Sequence, residues 1–168
     1  YRMNAATNFY GLDPTGYGPV FSAAAVAGKI LGLNKKQMLD ALGIAFNRQA
    51  CSFQANIDGT LCVRLIQSFT SQSGLLSAIL AQRGFNGVKN FIEGIYGHFA
   101  LYSRGNRYDP DILVGDLGQK YSMVENTVFK RYPSCGATLT AADIASDLAK
   151  KHGLKSDDVA EITIKLGG

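Results

Sequence analysis

The sequence predicts a mainly α-helical domain that ends in one β-strand. Apolar residues recur at helical spacing in long segments around 19–31, 34–46, 63–83 and 140–152, each bounded by Gly, Pro, Asn or Thr. Two of these segments are crowded with Ala, Ser and Gly, which lets helices approach closely. Only Ala160 to Leu166 alternates apolar and polar residues in the period of a strand.

The lead-in from Tyr1 to Gly18 contains Asp13-Pro14-Thr15-Gly16-Tyr17-Gly18, a turn-rich run. A helix follows from Pro19 to Leu31: Pro19 suits a first helical position, and Gly32 suits the C-terminal cap. Asn34 caps a second helix, with Gln37 at the capping-box position and an apolar face of Met38, Leu39, Leu42, Ile44, Ala45 and Phe46. Gln49 to Asp58 is less regular, and Asp58-Gly59 is a turn. Val63 to Arg83 is the longest helix. It carries Leu65, Phe69, Leu76, Ile79 and Leu80 at helical spacing and a second face of small polar residues.

The pattern then shortens. Val88 to Gly94 and Asp109 to Leu117 are predicted as short helices, and the aromatic, glycine-rich Ile95 to Arg107 as a packed loop or a short helical turn. Thr140 caps the next helix with Asp143 in the reciprocal position; Ile144, Ala145 and Leu148 face inward, and Gly153 stops it. Ser156 to Val159 turns into the strand, which sets Ile162, Ile164 and Leu166 on one side and Thr163 and Lys165 on the other. A lone strand is not stable by itself, so it needs partners from outside this sequence.

At 168 residues the chain is one domain, or one domain with the start of another. Its charged content of 18% is below the usual ~25%, which predicts a surface covered in part by another chain or by further polypeptide. The chain begins without Met and ends straight after the strand-like run, and both ends read as cuts in a longer polypeptide. The net charge of +4 is spread thinly, with no arginine-rich stripe interleaved with aromatics, so no nucleic-acid partner is expected. No apolar run is long enough for a membrane span, and no membrane partner is expected. Cys51, Cys62 and Cys135 lack metal-ligand spacing and lie far from His98 and His152, which predicts no disulfide framework, no metal site and no iron–sulfur cluster. Reduced thiols and a cytoplasmic location are the expectation.

The densest chemical signal is Phe129-Lys130-Arg131-Tyr132-Pro133-Ser134-Cys135-Gly136. Pro133 fixes its own φ and cannot continue a helix, and Gly136 permits a tight path, so the segment is an elbow feeding a helix N-terminus. Free N–H groups there, beside Lys130 and Arg131, favour an anion such as a carboxylate. The alternative is a buried loop anchor with solvated basic residues.

Taken together, these pieces resemble the MmgE/PrpD family. The matching runs lie in family order over nearly the whole chain. They are Asp13-Pro14-Thr15-Gly16, Ala23-Ala24-Ala25, Ile30-Leu31-Gly32-Leu33, Ala41-Leu42-Gly43-Ile44-Ala45, Asp58-Gly59-Thr60, Arg64-Leu65, Gly74 through Ala81-Gln82-Arg83-Gly84-Phe85, the elbow Phe129 to Cys135, and His152-Gly153-Leu154. The family includes 2-methylcitrate dehydratase and cis-aconitate decarboxylase, and its fold also supports an iminodisuccinate epimerase. The resemblance implies a large all-helical domain paired with a smaller α/β lid, usually in a homodimer. Residues 1–157 would be the later part of the helical domain, and 158–168 the first strand of the lid. It implies a lyase acting on a small di- or tricarboxylate without cofactor or metal, by 2-methylcitrate dehydratase-like dehydration, with a homodimer partner or a complementary chain.

By the same resemblance Lys130 and Arg64 hold carboxylates, Asp13 or Tyr132 moves protons, and Thr15 and Ser134 hydrogen-bond the ligand. Each has a plainer alternative: a solvated lysine, a helix-terminal salt bridge at Arg64, an ordinary turn residue at Asp13, a satisfied core tyrosine, and helix caps at Thr15 and Ser134. The chain also departs from the family pattern. Asp13 stands where the family has His before Pro-Thr-Gly. Val63-Arg64-Leu65-Ile66-Gln67-Ser68 replaces Lys-Arg-Leu-His-Pro-Gly, and Leu139 replaces a histidine after the elbow. Elimination of water needs a base, an acid and stabilisation of the developing enolate, and valine or leucine supplies none of these. A catalytically degenerate or partial family member, acting as a subunit or binding module, is therefore the second reading.

Overall fold

The computed structural model describes residues 11–103 and 108–165. The first ten residues of the expected lead-in, part of the aromatic loop and the end of the expected strand lie outside them. The chain divides into two compact units, Tyr1–Lys120 and Tyr121–Gly168.

The first unit is built on three helices, α1 (Pro19–Ile30), α2 (Lys35–Phe46) and α4 (Leu65–Gln82), which pack pairwise on one another. Pro19 opens α1, and Gly32 adopts φ +68° just past its end. The expected capping box starts α2: Asn34 Oδ1 accepts from Gln37 N at 2.9 Å, and Asn34 N donates to Gln37 Oε1 at 3.1 Å. Between α2 and α4 lie the single turn α3 (Gln54–Ile57) and a 3₁₀ turn at Leu61–Arg64.

The small-residue face of α4 is its buried face. Thr70, Ser73, Gly74, Ser77, Ala78 and Ala81 point inward, whereas Leu65, Phe69 and Leu76 are about half exposed. A Cβ on Gly74 would stand 2.4 Å from Ala23 Cβ and 2.7 Å from Ala24 N, so α1 and α4 touch almost backbone to backbone. The cores on either side are Val20, Phe21, Ala24, Ala45, Phe46 and Phe91, and the all-alanine cluster Ala27, Ala41, Ala78 and Ala81.

The helix expected at Val88–Gly94 is absent, and turns occupy its place. Here the chain is strapped onto α2. A Cβ on Gly43 would meet Val88 O at 2.3 Å, a Cβ on Gly87 would meet Asp40 O at 2.1 Å, and Gly87 N donates to Asp40 Oδ1 at 3.0 Å. Local propensity yields to that contact. The aromatic segment contains a short helix, α5 (His98–Tyr102), the second of the two forms expected for it. His98 is fully buried, with its ring centroid 5.9 Å from Tyr17 and 5.0 Å from Tyr102. Gln49 Nε2 donates to Tyr17 O at 2.7 Å, which leaves Gln49 Oε1 to accept from His98 Nδ1 at 3.1 Å. Burial pushes the imidazole down to about 4, so it is neutral at ordinary pH. Helix α6 spans only Asp111–Val114, shorter than the expected Asp109–Leu117, because the chain turns out at Gly115 and Asp116 takes φ +55°.

The second unit begins with a short helix that the sequence pattern does not suggest, α7 (Ser122–Asn126). The elbow follows, then a 3₁₀ turn at Gly136–Thr138 and α8 (Leu139–His152), which Gly153 ends at φ +64°. The cap differs from expectation: α8 starts one residue before Thr140, and Thr138 occupies the N-terminal position. Asp143 points back to the elbow instead of capping. Ser156–Asp158 forms a 3₁₀ turn, and Val159–Lys165 runs on without regular structure. No partner strand lies beside that run among the described residues, as a lone strand would need. No described helix is long and apolar enough to cross a membrane.

Candidate functional site

In the first unit two of the candidate residues, Asp13 and Thr15, lie at the turn before α1. An isolated antiparallel bridge between Leu12 and Ser52, with Phe53 N donating to Gly11 O at 2.8 Å and Asp13 N to Cys51 O at 3.3 Å, clips this turn to the segment after α2. Asp13 is only 3% exposed. Its Oδ1 accepts from Thr15 N at 2.8 Å and Thr15 Oγ1 at 2.6 Å, and its Oδ2 accepts from Asn56 Nδ2 at 2.7 Å. Burial alone would raise this carboxyl. The hydrogen bonds from Thr15 and Asn56 together outweigh burial and hold it below the ordinary range. Asp13 is therefore a carboxylate at neutral pH that accepts three hydrogen bonds.

Thr15 Oγ1 in turn accepts from Gln67 Nε2 at 2.9 Å, which extends the chain to Asn56–Asp13–Thr15–Gln67. Thr15 serves Asp13 rather than capping α1, which has no side-chain cap. Arg64 closes the 3₁₀ turn before α4, exposed, with no ion pair or hydrogen bond to its guanidinium among the described residues. The salt bridge considered for it does not form there.

In the second unit the elbow is cross-linked to itself and to α8. Lys130 Nζ donates to Ser134 O at 3.0 Å. Arg131 Nη1 and Tyr132 Oη both donate to Asp143 Oδ1, at 3.0 Å and 2.9 Å, and the guanidinium lies 5.8 Å from the Tyr132 ring centre. The hydrogen bond to Asp143, with lesser contributions from desolvation and the Asp143 charge, raises Tyr132, so the phenol keeps its proton. Thr138 Oγ1 donates to Cys135 O at 2.8 Å and lies 3.1 Å from Ser134 Oγ. Tyr132 is half-buried, and every other residue from Phe129 to Gly136 is exposed, so the elbow is no buried anchor. Arg131 is partnered by a carboxylate. Lys130 caps a carbonyl and retains two N–H groups for an anion.

Of the residues expected from sequence, Asp13 and Thr15 share one hydrogen-bond network, Lys130, Tyr132 and Ser134 lie in the elbow, and Arg64 stands apart from both; the sequence reading does not anticipate Asn56, Gln67 or the partners of Asp143. Gln67 sits inside a run that departs from the family pattern, which was the available signal. Among the described residues no group of three or more His, Cys, Asp or Glu is placed to hold a metal.

The model of the MmgE/PrpD N-terminal domain matches residues 2–111. A cis-aconitate decarboxylase of Aspergillus terreus (strain NIH 2624 / FGSC A1156) is 32% identical over 143 residues, 80% of this chain and 29% of that protein. A second cis-aconitate decarboxylase of Aspergillus terreus is 35% identical over 127 residues, 71% of this chain and 26% of its own. The cis-aconitate decarboxylase-like protein oryM of Aspergillus oryzae (strain ATCC 42149 / RIB 40) is 32% identical over 112 residues, 62% of this chain and 23% of its own. The chain spans less than a third of the length of these curated relatives. With the family domain matched over most of the helical first unit, the chain belongs to the MmgE/PrpD family.

Proposed function

We propose that this chain is the helical part of a lyase acting on a small di- or tricarboxylate, by a 2-methylcitrate dehydratase-like dehydration without metal. The observation that carries the reading is the family match over residues 2–111, joined to relatives named for a tricarboxylate-consuming lyase. Arg64 and Lys130 are the cations offered to substrate carboxylates. The ionisation of the other two groups divides the proton work: Asp13, held as a carboxylate, is the acceptor, and Tyr132, held as a phenol, is the donor once it leaves Asp143. Thr15 and Ser134 supply hydrogen bonds. A cytoplasmic homodimer, or a complementary chain bringing the lid, belongs to the same reading.

The second reading is a degenerate or partial member that serves as a subunit or binding module. It is favoured by Val63 and Leu139, which move no protons, and by an Asp13 whose three hydrogen bonds make it a weak base. The full-length polypeptide carrying this sequence should be assayed for 2-methylcitrate dehydration and cis-aconitate decarboxylation. Under the lyase reading Asp13→Ala lowers turnover by ~10²-fold or more, as for a lost proton-transfer group, and Lys130→Ala weakens carboxylate binding. Tricarboxylate binding without turnover selects the second reading. Unchanged binding and turnover in Lys130→Ala sinks the first.

A further inference from the structure

A cleft of about 400 Å³ opens in the first unit between the segment that follows α2 and the N-terminal half of α4. None of the residues assigned above to substrate lines it. Its walls are mostly apolar, formed by Ile66 and Phe69, with Thr70 and Ser73 deeper on α4 and Arg48 and Cys51 opposite. Two donors here have no partner among the described residues. Arg48 is exposed, and its guanidinium has no carboxylate or carbonyl partner among the described residues. Ser73 is 9% exposed, and its hydroxyl has no hydrogen-bond partner among the described residues, although its backbone carbonyl accepts from Ser77. An unmet hydroxyl at that depth costs free energy unless an acceptor reaches it.

We infer that this cleft binds a short-chain monocarboxylate, whose carboxylate accepts from Arg48 and Ser73 while its hydrocarbon body packs on Ile66 and Phe69. A carboxylate has two oxygens and about four lone-pair sites, enough for both donors. The single cation and apolar walls match one charge and a hydrocarbon tail. A tricarboxylate would bring two uncompensated charges against Ile66 and Phe69. The cleft is also wired to the Asp13 turn. Thr70 Oγ1 donates to Gly16 O at 3.3 Å, and Cys51 O accepts from Asp13 N. Cys51, which lines the cleft, holds φ +149°, a region where non-glycine residues are rare, and its Sγ packs against Gly16 so closely that a Cβ there would stand 1.9 Å away.

Cys51 supplies the readout. In the purified full chain, alkylation by iodoacetamide is followed at each cysteine by peptide mass spectrometry while hexanoate is titrated. Cys62 and Cys135 are exposed and serve as internal references. Hexanoate should slow labelling of Cys51 alone, in a saturable way, and hexan-1-ol and citrate should not match it. Arg48→Ala should weaken the protection by about tenfold or more, the loss expected for a charged hydrogen bond, and Ser73→Ala by less. Equal Cys51 labelling with and without hexanoate, undiminished protection in Arg48→Ala, or equal protection by citrate would each overturn the assignment. Should Cys51 resist alkylation, calorimetric titration of hexanoate decides: heat of binding lost in Arg48→Ala supports the site, and its absence in the unaltered chain overturns it. Neither measurement needs turnover, so the result stands apart from the fate of the lyase reading.

Discussion

The two units handle burial in opposite ways. The first brings three helices together until glycine and alanine backbones touch, and hides Asp40, Gln49 and His98 among them with their polar atoms met. The second holds a 14-residue helix of comparable length, yet none of its described side chains is buried. Ile144 and Leu148, the apolar face of α8, remain 55% and 50% exposed. What holds the elbow to α8 is instead a polar fork on Asp143. Exposed polar pairs contribute little, about 0–1 kcal/mol, whereas close apolar burial contributes about 25 cal/mol per Å². The first unit is therefore held by close apolar contact, whereas the described contacts of the elbow with α8 are mainly polar.

That contrast is sharpest where α1 crosses α4. Gly74→Leu forces a side chain into Ala23 and the Ala24 backbone, and should cost about 3 kcal/mol or more, read as a lower urea midpoint. Full stability in this variant would mean the crossing is looser than described. Next in size is the response to acid. The unfolded chain protonates His98 near its ordinary 6.5, but the folded protein does so only near 4. Between those values the unfolded state binds more protons, so stability present above 6.5 is lost as pH falls toward 4. The loss approaches about 3 kcal/mol. Urea midpoints across that window should slope with pH, and His98→Gln should flatten the slope.

Asp13→Ala should cost about 2 kcal/mol by orphaning Thr15 and Asn56 and freeing Gln67, measured by thermal unfolding. The smallest effect belongs to the second unit. Asp143→Ala should change global stability by about 0.5 kcal/mol or less while raising the hydrogen-exchange rate of amides in the elbow. A loss as large as that from Asp13→Ala would erase the distinction between the units.

The parts of the fold legible in sequence are those whose causes are local. Asn34 and Gln37 lie three residues apart and carry their own cap. The small face of α4 reads directly as a close-packing face. Val88–Gly94 departs from its helical pattern because its conformation is imposed by α2, through two glycines far apart in sequence. Thr140 and Asp143 have the spacing of a cap, but a tyrosine and an arginine from the elbow compete for the carboxylate and win. The candidate site was legible residue by residue and illegible as a network, since Asn56 and Gln67 reach the turn across 43 and 52 positions of chain.

Gln49 has a consequence for how this protein can be watched. Its amide spends the nitrogen on Tyr17 and keeps only the oxygen for His98, while Tyr102 Oη donates to its backbone carbonyl at 3.1 Å. One side chain thereby ties the entry to α1, the exit from α2 and the short helix α5, and it fixes which imidazole nitrogen carries hydrogen. The nitrogen resonances of that one ring are thus a built-in gauge of whether the three segments are together. A single pattern marks the assembled unit, and tautomer averaging at His98 would mark the first loosening of the core, before any helix is lost.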